Sequence, residues 1–296
     1  AGFIAGCGAA DARLLAPMLA RIAHRGPDGQ GSFVEGPAAL GHCRLAIIDP
    51  DGGAQPLYSE DENLVIVFNG EIYNYRALTA ELTALGHTFA TRTDTEVLLH
   101  GWEQWGRELL PRLRGMFAFA LWDRRAGTLF CARDMFGIKP LYYCRCADGT
   151  LLFASEIKAL LAHPAFEKKL NEARLPDWLS MEYLPDSETL FAGVYELPPA
   201  HTLLWQDGRL TTARYAAQFT DGLPLRAVGD QEYDITKSVA PMTKYATMLE
   251  DPNQIRYVLE KAWHLATTGR PGPVWIDIPV NYQGGYIETE NLPAYD

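Results

Sequence analysis

The sequence predicts an α+β fold in which two antiparallel sheets pack face to face and are covered by helices. The first observation is a strand-rich run over residues 115–155, interrupted by turn sequences at 123–127 and 147–149, as expected for consecutive hairpins. The second is helical spacing of apolar residues on both sides of this run. Sheets with one apolar face need a covering layer, so the helices are expected to lie outside the two sheets.

The chain opens directly in an apolar strand, and residues 11–24 then carry apolar side chains at helical spacing up to a stop sequence at 25–29. Residues 39–48 and 64–68 predict the next two strands. Arg44 lies within the first of these, and a charge in such a run needs either a structural partner or a bound anion. Both interpretations stay open at this point.

Asn69 and Gly70 follow the second strand and allow two interpretations. Asn-Gly between strands is a strong hairpin signal. Alternatively, the pair turns backbone N–H groups toward an oxygen, with Glu71 directly behind, and so holds a polar ligand. The rest of the sequence has to decide between them.

The remaining elements follow from the same patterns. Residues 75–85 and 93–105 predict helices, with Asp94 either the N-cap of the second helix or a ligand-binding acid. Four strands are expected at 116–122, 128–132, 141–146 and 151–153, short helices at 156–162 and 175–182, and a hairpin around 206–208.

Composition excludes several classes of function. A net charge of -11 and a pI near 5.1 leave no basic face for nucleic acid or an anionic membrane. No apolar run spans a bilayer, and five scattered cysteines favour reduced thiols, so a cytoplasmic protein is expected. Cys144 and Cys146 lack a second pair at metal-ligand spacing, and no metal site is predicted.

Six strings stand out in residues 1–215: RGPDG at 25–29, RLAIID at 44–49, FNGEIYN at 68–74, DTE at 94–96, RDMFGIKPLYY at 133–143 and FASE at 153–156. In this order they resemble the N-terminal glutaminase domain of glutamine-hydrolysing asparagine synthetases, a class II glutamine amidotransferase. The resemblance implies a four-layer αββα sandwich of the N-terminal-nucleophile hydrolase fold. LPPAH at 197–201 also resembles this family's passage into its synthetase domain.

The resemblance implies a role for each candidate residue. An N-terminal cysteine attacks the side-chain amide of glutamine, with its own α-amine as base. Asn69 and the Gly70 N–H form the oxyanion hole. Arg44 pairs with the α-carboxylate, while Asp94, with help from Glu71, takes the α-ammonium. Because these residues fall where an amino-acid ligand needs them, the ligand interpretation is favoured over the hairpin and the cap.

The sequence departs from this family in two ways. The family begins Cys-Gly-apolar ahead of the residues that match Ala1 and Gly2, so the catalytic cysteine is expected upstream of Ala1 and the chain as written is expected to be inactive. The retained pocket residues point to a clipped N-terminus. The Ser-Gly-Gly-x-Asp-Ser pyrophosphate loop is missing as well, so ATP and Mg²⁺ are expected only in a full synthetase, present as another domain or a subunit in trans.

Residues 219–296 are expected to form a partial α/β segment. Four strings resemble the end of the pyrimidine-binding domain of acetolactate-synthase-type thiamine diphosphate enzymes: GDQE at 229–232, TKYA at 243–246, DPN at 251–253 and GRPGPVWIDIP at 269–279. Asp251 is expected to cap a helix with an apolar stripe from Ile255 to Ala266, followed by a strand over 274–280. The family's activating glutamate and diphosphate motif are missing, so no thiamine diphosphate is expected to bind.

Three functional interpretations remain. The first is the glutaminase part of an asparagine-synthetase-like enzyme, which supplies ammonia to an acceptor such as aspartate. The second is a non-catalytic glutamine-binding module. The third is an accidental fusion of two gene fragments without an evolved function.

Overall fold

The structure, a computed structural model, describes residues 1–49, 52–184, 187–216, 236, 240–269, 271–278 and 289–296. It divides into two units, Ala1–Ala216 and Ala217–Asp296. The string at 229–232 lies outside the described residues, as do parts of the expected turn at 49–53 and of the string at 269–279.

The first unit contains two six-stranded sheets in which the pairing is antiparallel throughout. The strands are β1 (Gly2–Ile4), β2 (Gly29–Glu35), β3 (Ala38–Arg44), β4 (Leu57–Tyr58), β5 (Leu64–Ile72), β6 (Gly115–Asp123), β7 (Thr128–Arg133), β8 (Tyr142–Arg145), β9 (Leu151–Ala154), β10 (Val194–Glu196), β11 (His201–Gln206) and β12 (Arg209–Arg214). One sheet has the order β10-β8-β9-β1-β3-β2, and the other has the order β12-β11-β7-β6-β5-β4. The expected hairpin around 206–208 is confirmed as β11 and β12.

Helices cover the outer face of each sheet. The covering helices are α1 (Ala12–Ala20), α2 (Tyr75–Ala84), α3 (Asp94–Trp105) and α4 (Ile157–Leu160). A further helix, α5 (Leu175–Met181), has no buried residue. Side chains of α1 and α4 pack on the β1-containing sheet, and those of α2 and α3 pack on the β5-containing sheet. The layers therefore run helix, sheet, sheet, helix, which confirms the predicted αββα sandwich.

The space between the sheets is filled by inward-facing apolar side chains. Ile4 and Leu40 come from one sheet, and Val65, Val67 and Trp122 come from the other. The side chains of β5 alternate between this inner cluster and the helix-covered cluster. Both faces of β5 are thus buried, which explains its nearly continuous apolar sequence.

The expected end of a strand at Phe68 is wrong, and so is the hairpin interpretation of Asn69 and Gly70. Strand β5 continues through both residues to Ile72 and pairs with β6 along its whole length. Gly70 is required there because an ideal Cβ on it would lie 2.2 Å from the Met116 carbonyl oxygen. The glycine therefore permits a close approach of two strands rather than a turn.

The first helix is shorter than expected. It ends at Ala20, and a 3₁₀ turn at Ala23–Arg25 follows. The chain then passes so close to β3 that a Cβ on Gly26 would lie 2.2 Å from the Cys43 carbonyl. Packing of this loop against β3 overrides the helical periodicity of residues 21–24.

The connection between β7 and β8 is held by two buried charged residues. The Arg133 guanidinium donates to the carbonyl oxygens of Lys139 (2.8 Å), Gly137 (2.6 Å) and Leu197 (2.6 Å). Asp134, which is 0% exposed, accepts from backbone N–H groups on either side of it. The string at 133–143 therefore joins the two sheets and fixes the position of Lys139.

Among the described residues of the second unit, two strands and a long helix stand out, namely β13 (Tyr245–Met248), α6 (Ile255–Thr267) and β14 (Val274–Asp277). The strands pair in parallel, so the segment is a strand–helix–strand unit. The Asp251 side chain caps a 3₁₀ turn that leads into α6, as expected. The first of these strands was missed from the sequence, and the expected strand over 274–280 is seen to Asp277, while 279 and 280 lie outside the described residues.

Part of the apolar stripe on α6 is buried within the second unit. Val258 and Ala262 are 8% and 3% exposed, whereas Leu259 and Trp263 are 48% and 73% exposed. No helix among the described residues combines the length and the apolar character needed to cross a bilayer.

Candidate functional site

A cavity of about 300 Å³ opens where β3 and β5 lie near the start of α3. Its lining includes all five candidate residues: Arg44, Asn69, Gly70, Glu71 and Asp94. They come from three separate elements and lie up to 50 positions apart in the sequence. The fold thus brings together a guanidinium, two carboxylates and two candidate hydrogen-bond donors, a set suited to a small zwitterion.

Arg44 ends β3 and is held by the loop that follows. Its Nη2 atom donates to the backbone oxygens of Asp49 (2.6 Å) and Ile48 (3.2 Å). A Cβ on Gly53 would lie only 2.3 Å from this Nη2. The loop therefore packs tightly around the guanidinium and orients it at the cavity wall.

Asn69 and Gly70 offer the two donors. The Asn69 Nδ2 atom is buried without a hydrogen-bond partner among the described residues. The N–H groups of Phe68 and Ile72 donate to the side chains of Gln55 (2.7 Å) and Asp94 (2.9 Å). Since N–H groups two residues apart point to the same edge of a strand, the Gly70 N–H faces the same edge, between these acceptors.

Asp94 is the first residue of α3 and not its N-cap, so the cap interpretation is wrong. Thr93 occupies the N-cap position, without a side-chain cap bond. Burial raises the pKa of the Asp94 carboxyl, against the effect of its bond from the Ile72 N–H, and the nearby Glu71 charge raises it further. Two acids this close favour a cation between them.

Glu71 lies on β5 directly after the two donors. Its side chain is half-buried, and it makes no hydrogen bond or ion pair with any residue that the structure describes. A carboxylate at the cavity wall without a protein partner is available to a ligand. The pair of Glu71 and Asp94 therefore forms the acidic side of the cavity.

His42 lines the same cavity, and sequence reasoning missed it. Burial, followed by the positive charges of the Ala1 amine and Arg44, lowers the pKa of His42 to about 4, so the imidazole is neutral near pH 7. Its Nδ1 atom is buried without a hydrogen-bond partner among the described residues. The available signal was its position two residues before Arg44, because alternate residues of a strand share a face.

The lining also contains residues whose role sequence reasoning left open. Arg25, Lys139 and Ser155 belong to three of the six strings and lie at the cavity. Gln55 was not singled out, although its side chain supports β5 through the Phe68 N–H. Among the described residues, the side chains grouped closely enough to hold a metal ion are His87, His100 and Glu103, and none of them lines this cavity.

Comparison with known proteins gives one family and a consistent set of relatives. The family model described as a glutamine amidotransferase domain matches residues 1–216. Asparagine synthetase [glutamine-hydrolyzing] 1 of Bacillus subtilis strain 168 is 42% identical over 203 residues, which are 68% of this chain and 32% of the relative. A putative asparagine synthetase [glutamine-hydrolyzing] of Mycobacterium bovis is 45% identical over 205 residues, which are 65% of this chain and 31% of that protein. The chain thus spans about a third of the length of these curated relatives.

Solved structures agree on the fold. The glutamine phosphoribosylpyrophosphate amidotransferase of B. subtilis, complexed with ADP and GMP, aligns with a TM-score of 0.54 and 21% identity over 73% of this chain and 48% of that chain. A structure of the allosteric regulatory enzyme of purine biosynthesis aligns with a TM-score of 0.55 and 22% identity over the same shares. At such identities the likeness concerns the fold alone.

Proposed function

The chain belongs to the glutamine amidotransferase domain family, and we propose that its cavity binds glutamine for hydrolysis of the side-chain amide to glutamate and ammonia. The observation that carries this proposal is the convergence of Arg44, Asn69, Gly70, Glu71 and Asp94 on one cavity. Relatives named for glutamine hydrolysis support it.

The charges of the cavity suggest how glutamine lies in it. The planar fork of Arg44 suits the α-carboxylate. Glu71 and Asp94 then take the α-ammonium, which relieves the mutual repulsion of the two acids. This places the side-chain amide toward Asn69 and Gly70. Their donors would stabilise the negative oxygen that develops when the amide carbon is attacked.

The nucleophile of this scheme is a cysteine three residues ahead of Ala1. Strand β1 pairs antiparallel with β3, with Gly2 opposite Leu40. The pairing continues at Ala1, whose amine donates to the Gly41 carbonyl oxygen, and Ala1 lines the cavity. A segment joined to this amine therefore begins at the cavity. The α-amine of that cysteine would take the thiol proton, the thiolate would attack the amide carbon, and the protonated amine would return the proton to the departing nitrogen, which leaves as ammonia. Water would then hydrolyse the thioester, releasing glutamate and restoring the thiol.

Adding Cys-Gly-Ile ahead of Ala1, with the cysteine as the first residue, is expected to produce glutamate release from glutamine. The 296-residue chain as printed is expected to bind glutamine without turnover, since the proposed nucleophile is missing from it. Coupled assay of glutamate, together with equilibrium binding, checks both chains. A Ser-Gly-Ile extension is the matched control, because it restores the strand but not the thiolate.

Three results would contradict parts of this account. Binding without turnover in the extended chain would instead favour a non-catalytic glutamine-binding module. If the extended chain neither binds nor hydrolyses glutamine, both the glutaminase and the binding module are contradicted, and the accidental fusion of two gene fragments remains. Turnover in the Ser-Gly-Ile control equal to that of the cysteine chain would remove the thiolate from the mechanism.

We further propose that ammonia passes to an acceptor such as aspartate on a synthetase domain or subunit. The relatives of similar sequence are asparagine synthetases about three times as long as the matched segment, which supports this assignment. The resemblance of residues 219–296 to thiamine diphosphate enzymes stays a prediction. The strand–helix–strand unit of β13, α6 and β14 is compatible with it.

A further inference from the structure

His87, His100 and Glu103 form a second cluster, outside the lining of the glutamine cavity. The Glu103 Oε2 atom lies 3.1 Å from His100 Nδ1 and 3.7 Å from His87 Nδ1. One ligand atom from each residue lies within 4.8 Å of the other two. His100 and Glu103 stand one turn apart on α3, and His87 comes from the segment between α2 and α3.

We propose that His87, His100 and Glu103 bind a divalent transition-metal ion, with zinc as the best fit. Zinc is bound by imidazole nitrogen and carboxylate oxygen at about 2.0–2.2 Å, which sets neighbouring ligands of a tetrahedral site about 3.3–3.5 Å apart. The two distances of 3.1 and 3.7 Å fall on either side of this spacing. Glu103 is partly exposed, so water can occupy a fourth position.

The surroundings of His87 orient it for metal binding. Its Nε2 atom lies 3.1 Å from Gln104 Oε1, which is an acceptor, so Nε2 carries the proton. The Nδ1 lone pair then faces Glu103 and His100. A ligating histidine that donates its other N–H to a neighbouring oxygen is the usual outer-shell arrangement of metal sites.

His100 is the stronger argument, because it is 3% exposed and lies between two carboxylates. Its Nδ1 is 3.1 Å from Glu103 Oε2, and its Nε2 is 3.5 Å from Glu96 Oε1. A neutral imidazole carries one N–H, so in either tautomer one nitrogen turns its lone pair toward a carboxylate. The Nε2 atom has no hydrogen-bond partner among the described residues. A cation at Nδ1 removes the conflict, since Nε2 then carries the proton and faces Glu96.

The proposed ion would fasten the segment that leads to the glutamine cavity. Glu96 accepts from the N–H groups of Ala90 and Thr91, each at 2.7 Å, and so holds the chain between His87 and α3. This chain continues into Thr93 and Asp94, which line the cavity. Metal binding is therefore expected to raise the thermal stability of the first unit.

The experiment titrates the full 296-residue chain, freed of metal by chelator and dialysis, with zinc chloride in a calorimeter. We expect one site, and we expect Co²⁺ in its place to give the visible absorption of a tetrahedral nitrogen–oxygen site. His87→Ala and Glu103→Gln are each expected to weaken zinc binding at least tenfold. His24→Ala is the matched control, because His24 also contacts a carboxylate, that of Glu156 at 2.9 Å, without a second imidazole.

The proposal is overturned if zinc binds no better to the parent chain than to His87→Ala and Glu103→Gln, or if His24→Ala weakens binding equally. Circular dichroism and thermal unfolding in EDTA establish that each variant folds. In the alternative arrangement, His100 is protonated and donates to both carboxylates without a metal ion. Zinc would then not raise the melting temperature of the parent chain, and this result would also reject the site. Because glutamine binding is measured separately, failure here leaves the proposed function untouched.

Discussion

Replacing Arg44 with alanine is expected to weaken glutamine binding by about 10- to 150-fold. Charge-assisted hydrogen bonds contribute about 1.5–3 kcal/mol, and each 1.4 kcal/mol is a factor of ten in affinity. Arg44→Lys is expected to recover only part of the loss, since an ammonium cannot match the carboxylate with two parallel bonds. Calorimetric titration of the 296-residue chain measures the dissociation constants, and Arg125→Ala, 73% exposed and outside the lining, is the control.

Arg44 also holds two loop carbonyls, so a purely structural role has to be separated from ligand binding. The two roles are separated by measuring the affinity of the parent chain and of Arg44→Ala for two ligands, glutamine and L-glutaminamide. In L-glutaminamide an amide replaces the α-carboxylate. If Arg44 pairs with the α-carboxylate, Arg44→Ala costs much less affinity for glutaminamide than for glutamine. Equal losses for the two ligands would contradict the pairing and assign Arg44 to loop structure.

Asp134→Ala is expected to lower the free energy of unfolding of the first unit by about 3–5 kcal/mol. The carboxylate is fully buried and accepts from four backbone N–H groups, those of Phe117, Phe136, Ile138 and Lys139, at 3.0–3.1 Å. Each buried donor left without an acceptor costs about 1–3 kcal/mol. Water that reaches the loop in the variant is expected to hydrate some of the four N–H groups, so the total loss is smaller than four times this cost. Urea unfolding followed by circular dichroism measures the change.

Two further variants test this explanation. Asp134→Asn keeps one oxygen and is expected to fall between the parent chain and the alanine variant. Asp148→Ala is the matched control, because this exposed carboxylate accepts from the Thr150 N–H at a turn and its loss is expected to cost less than about 1 kcal/mol. A loss at Asp134 no larger than that at Asp148 would contradict a structural role for the buried carboxylate.

The layers of the fold follow from sequence patterns, whereas several boundaries do not. Alternating and continuous apolar runs predicted most of the strands that build the two sheets. Periodicity could not predict that β5 passes through Asn69 and Gly70, because the close approach of Met116 is a property of the pairing with β6. In the second unit, β13 was missed because its side chains are neither alternating nor fully buried.

The candidate site was predicted through motif resemblance, and its remaining residues needed the fold. Arg44, Glu71 and Asp94 stand out as charges near apolar runs. His42 and Gln55 carry no comparable signal, since their significance lies in an unpartnered buried nitrogen and in support of the Phe68 N–H. The cluster of His87, His100 and Glu103 was also invisible, because one ligand lies on a loop 13 positions before the next.

The central claim is that Asn69 and Gly70 present donors to the side-chain amide of bound glutamine. Heteronuclear NMR of the chain labelled with ¹⁵N at asparagine and glycine tests it directly, with Asn69→Ala used to assign the side-chain signal. The Gly70 N–H is assigned by ¹³C labelling of the asparagine carbonyl, because the pair Asn-Gly occurs once in the sequence. The Asn69 side-chain amide and the Gly70 N–H are predicted to shift together as glutamine saturates the cavity. If both signals stay in place at glutamine concentrations that saturate the calorimetric signal, the claim is contradicted.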